Sequence, residues 1–340
     1  IVIDKRRATL QTARIFHTLS ETEKRSVLND LLLDASRTYL EWAYYFGQYK
    51  IISLAVSVNE KRMKLVRTAV KQGERPALDT TEVLTQLQNF QVMQNEALLQ
   101  WQNAGLDLFL FLWKENNHPY EFTTAVIPDT TLITTTATIT ETIPPLEESL
   151  TSARTGHPDL LQYPLKLSVL TIEKKLKFQE LLPKLDLKYY QLGKGYNLLN
   201  AKSGALFSNN YRLGIGFSMP LRLSQGRGEY RKAKLKIEET RLNQQFKLAE
   251  VENKIRSYYN NVKALEGQSD LLRNTYNNYV ILQKGEEMKF FNGESSLFML
   301  NSREAKTIEA QLKLIKINTA YFKSRATLFW AAGLSNQAKP

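Results

Sequence analysis

The sequence predicts a mainly α-helical chain in which one long helical hairpin occurs twice, with a single β-hairpin between the copies. Three observations predict it. Residues 5–70 and 225–290 each run without a proline. Each run ends in a Gly-Glu pair, Gly73-Glu74 in QGERPALDTT and Gly293-Glu294 in NGESSLFMLN, at a shared offset of 220 residues. Around residues 185–219 the apolar residues change from helical spacing to strict alternation.

A chain of 340 residues can form two or three compact domains or one elongated one. With 43% apolar and 24% charged residues it is a folded protein, not a disordered one. The absence of cysteine excludes disulfides, a thiol nucleophile and thiolate metal sites. A formal charge of +12 invites a phosphate-binding reading. Yet the basic residues in EKRMKLVR and RKAKLKIEETR alternate with glutamate, as on a solvated helix face, so no nucleic-acid partner is expected. No apolar run approaches the ~18–20 residues of a membrane helix; the nearest is LDLFLFLW at 106–113. The text opens at Ile1 without a signal-like segment, which reads as a processed or cut chain.

The first helix carries apolar residues at Leu28, Leu32, Ala35, Tyr39, Leu40 and Ala43, then Ile51, Leu54, Ala55 and Val58. At 1.5 Å per residue it would run roughly 100 Å, longer than a globular core needs. KQGERPALD then supplies stop and start signals together: Gly73 closes one helix, Pro76 enters the next turn, and Asp79 or Thr80 is the expected N-cap. A second helix covers about 80–113. The second half repeats this plan with a helix over 225–290, a turn at 292–294 and a helix from about 297 to 332. The 220-residue shift also superimposes Tyr39 on Tyr259, Gln91 on Gln311 and Leu108-Phe109 on Leu328-Phe329, the signature of an internal duplication.

Between the copies, residues 114–145 are loop-like. Eight threonines in DTTLITTTATITET favour extended backbone there, because β-branching stiffens χ1. Helix returns from 146 to 182. Two strands of about 10 residues follow, the length that crosses a bilayer at barrel tilt. Leu185, Leu187 and Tyr189 alternate with Asp186, Lys188 and Tyr190; Leu213, Ile215 and Phe217 alternate with Arg212, Gly214, Gly216 and Ser218. A half-buried soluble hairpin alternates in the same way, but joined to helices this long it has no soluble core to lie on. The six apolar residues are therefore expected to face lipid.

The organisation follows as a first-repeat hairpin at 1–113, a linker with short helices at 114–182, a transmembrane β-hairpin at 183–220, a second-repeat hairpin at 221–334 and a tail at 335–340. Four motifs occur along it: GHPDL at 156–160, LPKLDLKYY, FSMPLRLSQGRGEYRKAK at 217–234 and GESSLFMLNSREA. In this order, with a duplicated hairpin, they resemble the TolC family of outer-membrane efflux proteins over nearly the whole chain. GHPDL is similar to the family's Arg-Pro-Asp-Leu helix start, with His157 in place of Arg.

The resemblance implies a homotrimer in which each protomer gives four strands to a twelve-stranded barrel and its helices to a periplasmic tube. It implies an export channel for small molecules or proteins, in the outer membrane and periplasm of a Gram-negative bacterium. The implied partners are an inner-membrane transporter, a periplasmic adaptor (membrane fusion protein) and outer-membrane lipid. No cofactor and no enzyme activity are implied. One departure stands out: Ile1 aligns with Leu221, so the first β-hairpin is expected to be missing from this text.

The tips carry the implied adaptor contact or aperture: Gly73, Glu74, Arg75, Phe290, Phe291, Gly293, Glu294, Ser295, Phe298 and Asn301. Where family members place acidic rings, this chain has Phe298 and Asn301, with Phe290 and Phe291 just before the turn. That predicts an apolar and amide-lined constriction, of the kind that gates by dewetting. The Gly-Glu pairs read equally well as docking contacts or as bare structural turns.

His17, His118 and His157 have no partner at metal-ligand spacing, and no nucleophile–base–acid set is present. The rival to a channel is a coiled-coil adaptor or scaffold without a pore. An adaptor would place β-rich halves around one hairpin, whereas here two hairpins flank one strand pair. Drug, metal-ion and protein export all stay open.

Overall fold

The computed structural model of the protein describes residues 5–134, 143–191, 211–219 and 223–334. In chain order the elements are α1 (Lys5–Lys71), α2 (Leu78–Phe109), α3 (Thr131–Thr134), α4 (Leu146–Gly156), α5 (Pro158–Gln179), β1 (Lys184–Gln191), β2 (Tyr211–Ser218), α6 (Leu223–Phe291) and α7 (Leu297–Ala331). The duplication is present in the elements: α1 and α6 are 67 and 69 residues long, α2 and α7 are 32 and 35. Two units divide the chain, one of Ile1–Lys24 with Pro158–Leu248 and one of Arg25–His157 with Ala249–Pro340.

In the second unit the buried side chains recur at alternating steps of three and four. On α2 they are Val83, Leu87, Phe90, Ala97, Trp101, Ala104 and Leu108; on α7 they are Leu297, Leu300, Glu304, Thr307, Leu314, Asn318, Tyr321 and Leu328. On α1 the series is Ile52, Val56, Asn59, Met63 and Val66. A seven-residue period of this kind is the coiled-coil signature, in which slightly underwound helices keep one seam facing a partner. Ala55 and Val56 of α1 meet Leu87 and Phe90 of α2, with Ile308 of α7 against them.

Much of the α1 face named from the sequence lies elsewhere. Leu28, Leu32, Leu54 and Val58 are exposed, and Leu33, Trp42 and Val56 are buried instead. Helix α1 has two apolar faces, and one chain covers only one of them.

Polar groups also sit in the seam near the tips. Arg62 on α1 donates to both oxygens of Glu304 on α7, at 2.6 and 3.2 Å, with both residues buried. Asn59 donates to Glu304 at 3.1 Å, and Arg62 donates to Asn59 at 3.1 Å and to Asn301 at 3.3 Å. Further along, Ser269 of α6 donates to the buried Asn318 of α7, which donates to the backbone of Ile133 in α3. These bonds are directional, so each accepts one axial register of its helices.

Three local expectations are corrected. Helix α2 ends at Phe109 instead of about 113, because residues 112–114 hydrogen-bond back onto His118 and Tyr120 in a small turn. The threonine stretch begins as helix α3, not as extended backbone. The Asp129 carboxylate accepts from the Thr131 N–H, the Thr134 hydroxyl donates to the Thr130 carbonyl, and Ile133 is buried. Residues 135–142 of that stretch lie outside the described residues. Lastly, α2 starts at Leu78 with Ala77 as its N-cap and no side-chain cap, while Asp79 pairs with Arg75.

Both turns use glycine for the same reason. Gly73 and Gly293 have φ of 75° and 76°, and each helix closes with the Gly and Glu N–H groups bonded back to carbonyls of its last turn. Nothing lies within 4 Å of a Cβ added at either glycine, so a substitution meets backbone strain alone. Gly293→Ala is expected to destabilise by roughly 1 kcal/mol or somewhat more, and Gly293→Asn by less, in thermal or denaturant unfolding. Equal losses for Ala and Asn would show that φ is not the constraint. Glu304→Ala, which strands the buried Arg62, should be worse, at roughly 3–5 kcal/mol. The pair Arg62→Met with Glu304→Leu should recover at least half of that loss; a double variant as unstable as the single one would place the effect outside the charge pair.

Candidate functional site

Two surfaces carry the residues singled out from the sequence: the paired turns of the second unit and the strand pair of the first.

The two turns pack against each other. Phe290 lies in a cluster with Met63, Val66, Val83, Leu297 and Leu300, drawn from all four long helices. The Arg75 guanidinium sits 3.9 Å above the Phe290 ring and donates to the Phe290 carbonyl at 3.3 Å, so the first turn grips the last turn of α6. At the second turn, Ser296 caps α7 by accepting from Met299 N–H, and the Ser295 hydroxyl donates to Glu286 on α6.

The structure separates the tip residues into two sets. Phe290 and Asn301 are buried inside the protomer, which corrects their assignment to an aperture lining. Phe290 fills the intertip core. Asn301 accepts from Arg62 on α1 and hydrogen-bonds Glu82 on α2. Burial first, and then the Asp79 carboxylate, push the Glu82 carboxyl above its ordinary range, and the Asn301 bond pulls it back. Gly73, Glu74, Phe291, Gly293, Glu294 and Phe298 are exposed, and Arg75 and Ser295 are half-buried. Among the described residues neither Glu74 nor Glu294 has an ion-pair partner, so both carboxylates face outward from adjacent turns.

Sequence reasoning missed the Arg62–Glu304 pair. Its one signal was a charge at a position where the seven-residue spacing asks for an apolar side chain. GHPDL does start a helix, α5 at Pro158, and the His157 before it is buried, with its ring edge-on to Trp330 at 6.4 Å.

Strands β1 and β2 are antiparallel, with eight residues of each described; residues 192–210 between them lie outside the described residues. Their register places Leu185 opposite Phe217, Leu187 opposite Ile215 and Tyr189 opposite Leu213, so all six share one face. On the other face Asp186 and Lys188 stand opposite Gly216 and Gly214, where the glycines leave room for the charged side chains. All six apolar residues are exposed, from 57% to 72%. Water does not stabilise such a surface: burial of apolar area yields about 25 cal/mol per Å². No helix among the described residues is long and apolar enough to cross a membrane. The strand pair is thus one exposed apolar surface to be accounted for.

No protein-family model matches the sequence, and no curated protein matches it. Solved structures do. The Campylobacter jejuni CmeC outer membrane channel is 17% identical with a TM-score of 0.74, over 98% of this chain and 69% of that one. The open state of the Neisseria gonorrhoeae MtrE outer membrane channel is 15% identical with a TM-score of 0.75, over 98% and 73%. A membrane protein from Pseudomonas aeruginosa is 15% identical with a TM-score of 0.75, over 96% and 72%. With the helical hairpin present twice, the strand pair between the copies and these neighbours, the chain has the fold of the TolC-type outer membrane channels.

Proposed function

We propose that this chain is the protomer of a homotrimeric outer-membrane channel that exports solutes together with a periplasmic adaptor and an inner-membrane transporter. The observation that carries the reading is the exposed six-residue apolar face of β1 and β2 in a chain with the fold of outer membrane channels. A two-stranded sheet has two open edges and no core of its own. Closing it with strands of other protomers satisfies the edges, and lipid covers the apolar face.

The helices support the trimer. On α2 a second series at seven-residue spacing, Leu78, Val92, Leu99 and Leu106, is exposed in the protomer, as are Leu28, Leu32, Leu54 and Leu65 on α1. An apolar series with coiled-coil spacing calls for another helix, and symmetry supplies one from an identical chain. At the tips, Phe291 and Phe298 are the aromatic residues free to line an apolar constriction. Glu74 and Glu294 are the outward carboxylates free to meet basic residues of an adaptor.

Two experiments test this reading. In purified trimers, nitroxides at Leu187 and Ile215 should be accessible to oxygen in lipid, and nitroxides at Asp186 and Lys188 to a water-soluble relaxant. Equal accessibility of the two sets would remove the strand pair from the membrane. Glu74→Lys with Glu294→Lys should abolish export while trimers reach the outer membrane at normal levels. Normal export by that double variant would rule these carboxylates out as adaptor contacts.

A further inference from the structure

Several basic residues of α6 and α7 are paired with acids one helical turn away: Lys254 with Glu250, Lys263 with Glu266, Arg273 with Asp270, and Lys306 and Lys313 with Glu309. Others, among them Lys61, Lys64 and Arg67 on α1 and Lys284 and Lys289 on α6, have no acid partner among the described residues. Near the strands such residues cluster. GRGEYRKAKLK, at 226–236, contains Arg227, Arg231, Lys232, Lys234 and Lys236 against one acid, Glu229. All five are exposed, and none forms an ion pair among the described residues. The start of α1 repeats the arrangement. Arg7 and Arg14 are exposed, stand 220 residues before Arg227 and Lys234, and no acid occurs from residue 5 to residue 20. Unpaired like charges repel one another, so the pattern destabilises the helices it sits on unless an anion is supplied.

The location points to the anion. A Cβ built at Gly226 would lie 2.5 Å from Leu181, three residues before β1 begins, so the first turn of α6 packs against the base of the strand pair. Just beyond, Phe178 and Tyr230 pair with ring centroids 5.8 Å apart, and Phe178 is half exposed. Aromatic rings of this kind collect at the boundary between hydrocarbon and headgroups. The five basic residues follow over roughly 15 Å of helix, the depth of a headgroup layer plus about one Debye length. A shallow concavity of about 420 Å³ there is lined by Gly228, Arg231, Lys232, Leu235, Lys236 and Glu239. Three cations against one acid, beside one aliphatic side chain, leave a net positive charge next to apolar surface, which suits a phosphodiester attached to an acyl chain better than a free polyanion.

We infer that the basic face at the strand-proximal end of α6, repeated on α1, binds the headgroup phosphates of anionic phospholipid in the membrane leaflet the helices enter. This rests on the membrane assignment of β1 and β2. It gives the excess positive charge a specific use: the lipid phosphates replace the missing acid partners and set the depth at which the strands sit.

The chain has no cysteine, so a single label can be placed at Leu187→Cys to report insertion separately from lipid binding. The labelled full-length protein is reconstituted in vesicles of equal parts phosphatidylcholine and phosphatidylglycerol, extracted in detergent, and its retained phospholipid is quantified by headgroup. The wild type should retain phosphatidylglycerol about fivefold or more over phosphatidylcholine at low salt, falling toward parity near 1 M salt. The variant Arg227→Gln, Arg231→Gln, Lys232→Gln, Lys234→Gln, Lys236→Gln should insert equally well and retain the two lipids at parity. Insertion of the wild type with no phosphatidylglycerol preference overturns the inference and leaves the membrane strands standing. A Leu187 label that stays in water overturns the membrane assignment itself. Displacement of phosphatidylglycerol by stoichiometric heparin would instead make this a surface for soluble polyanions, and overturn the lipid assignment.

Discussion

The protein is organised by a seven-residue spacing of buried side chains. An α-helix has 3.6 residues per turn, so a series at 3.5 drifts around a straight helix, and only slight supercoiling keeps it facing one partner. Helices of 67 and 69 residues have no globular core to wrap around. Their stability comes from that seam, turn after turn, through residues such as Val56, Leu87, Phe90 and Leu314. A seam of this kind is uniform along its length, which leaves register underdetermined. The polar members Asn59, Glu304 and Asn318 break the uniformity, and the Arg62–Glu304 pair does so a few turns from the tips. Its contribution is to specificity as much as to stability, since an apolar pair of equal volume would pack as well in more than one alignment.

Duplication supplied two copies of the hairpin, and the copies have diverged where they meet. Both turns close with glycine at positive φ and the same pair of backbone hydrogen bonds. The first turn uses its next residue, Arg75, to hold Phe290 of the other copy. The second spends Ser295 and Ser296 on its own helices. The tip pair is therefore asymmetric: one turn clamps and the other is clamped. In the trimer proposed above, a partner meeting the six tips would meet two alternating kinds of site, which share an outward glutamate and differ in what surrounds it.

Surface chemistry is divided in the same economical way. Helix faces that pack within the chain are mostly apolar, with a few polar groups among them. A second apolar series on α1 and α2 is left open, as is the apolar face of β1 and β2. A helical series suits another helix, and in the proposed channel the alternating strand face would suit lipid. Basic residues without an acid partner among the described residues occur along α1 and α6 and are densest at 227–236, beside the strands.

The sequence by itself determined the plan of the molecule. Proline-free runs, Gly-Glu turns at one offset and a switch from helical to alternating spacing are local signals, and each survives in the structure as α1 and α6, the two turns, and the β1–β2 register. It also carried the resemblance that named the fold. The tertiary structure alone decided which face of each helix is inside. Leu28 and Leu54 are as apolar as Leu33 and Val56, and only the packing of α1 against its neighbours separates the exposed pair from the buried one. It likewise decided that Phe290 and Asn301 belong to the interior and Phe291 and Phe298 to the surface. Adjacent residues on a helix point about 100° apart, so a motif read as one aperture is divided by the helix itself. The Arg62–Glu304 pair joins residues 242 positions apart. No local pattern brings them together, because their contact exists only once the two copies of the hairpin have packed in register.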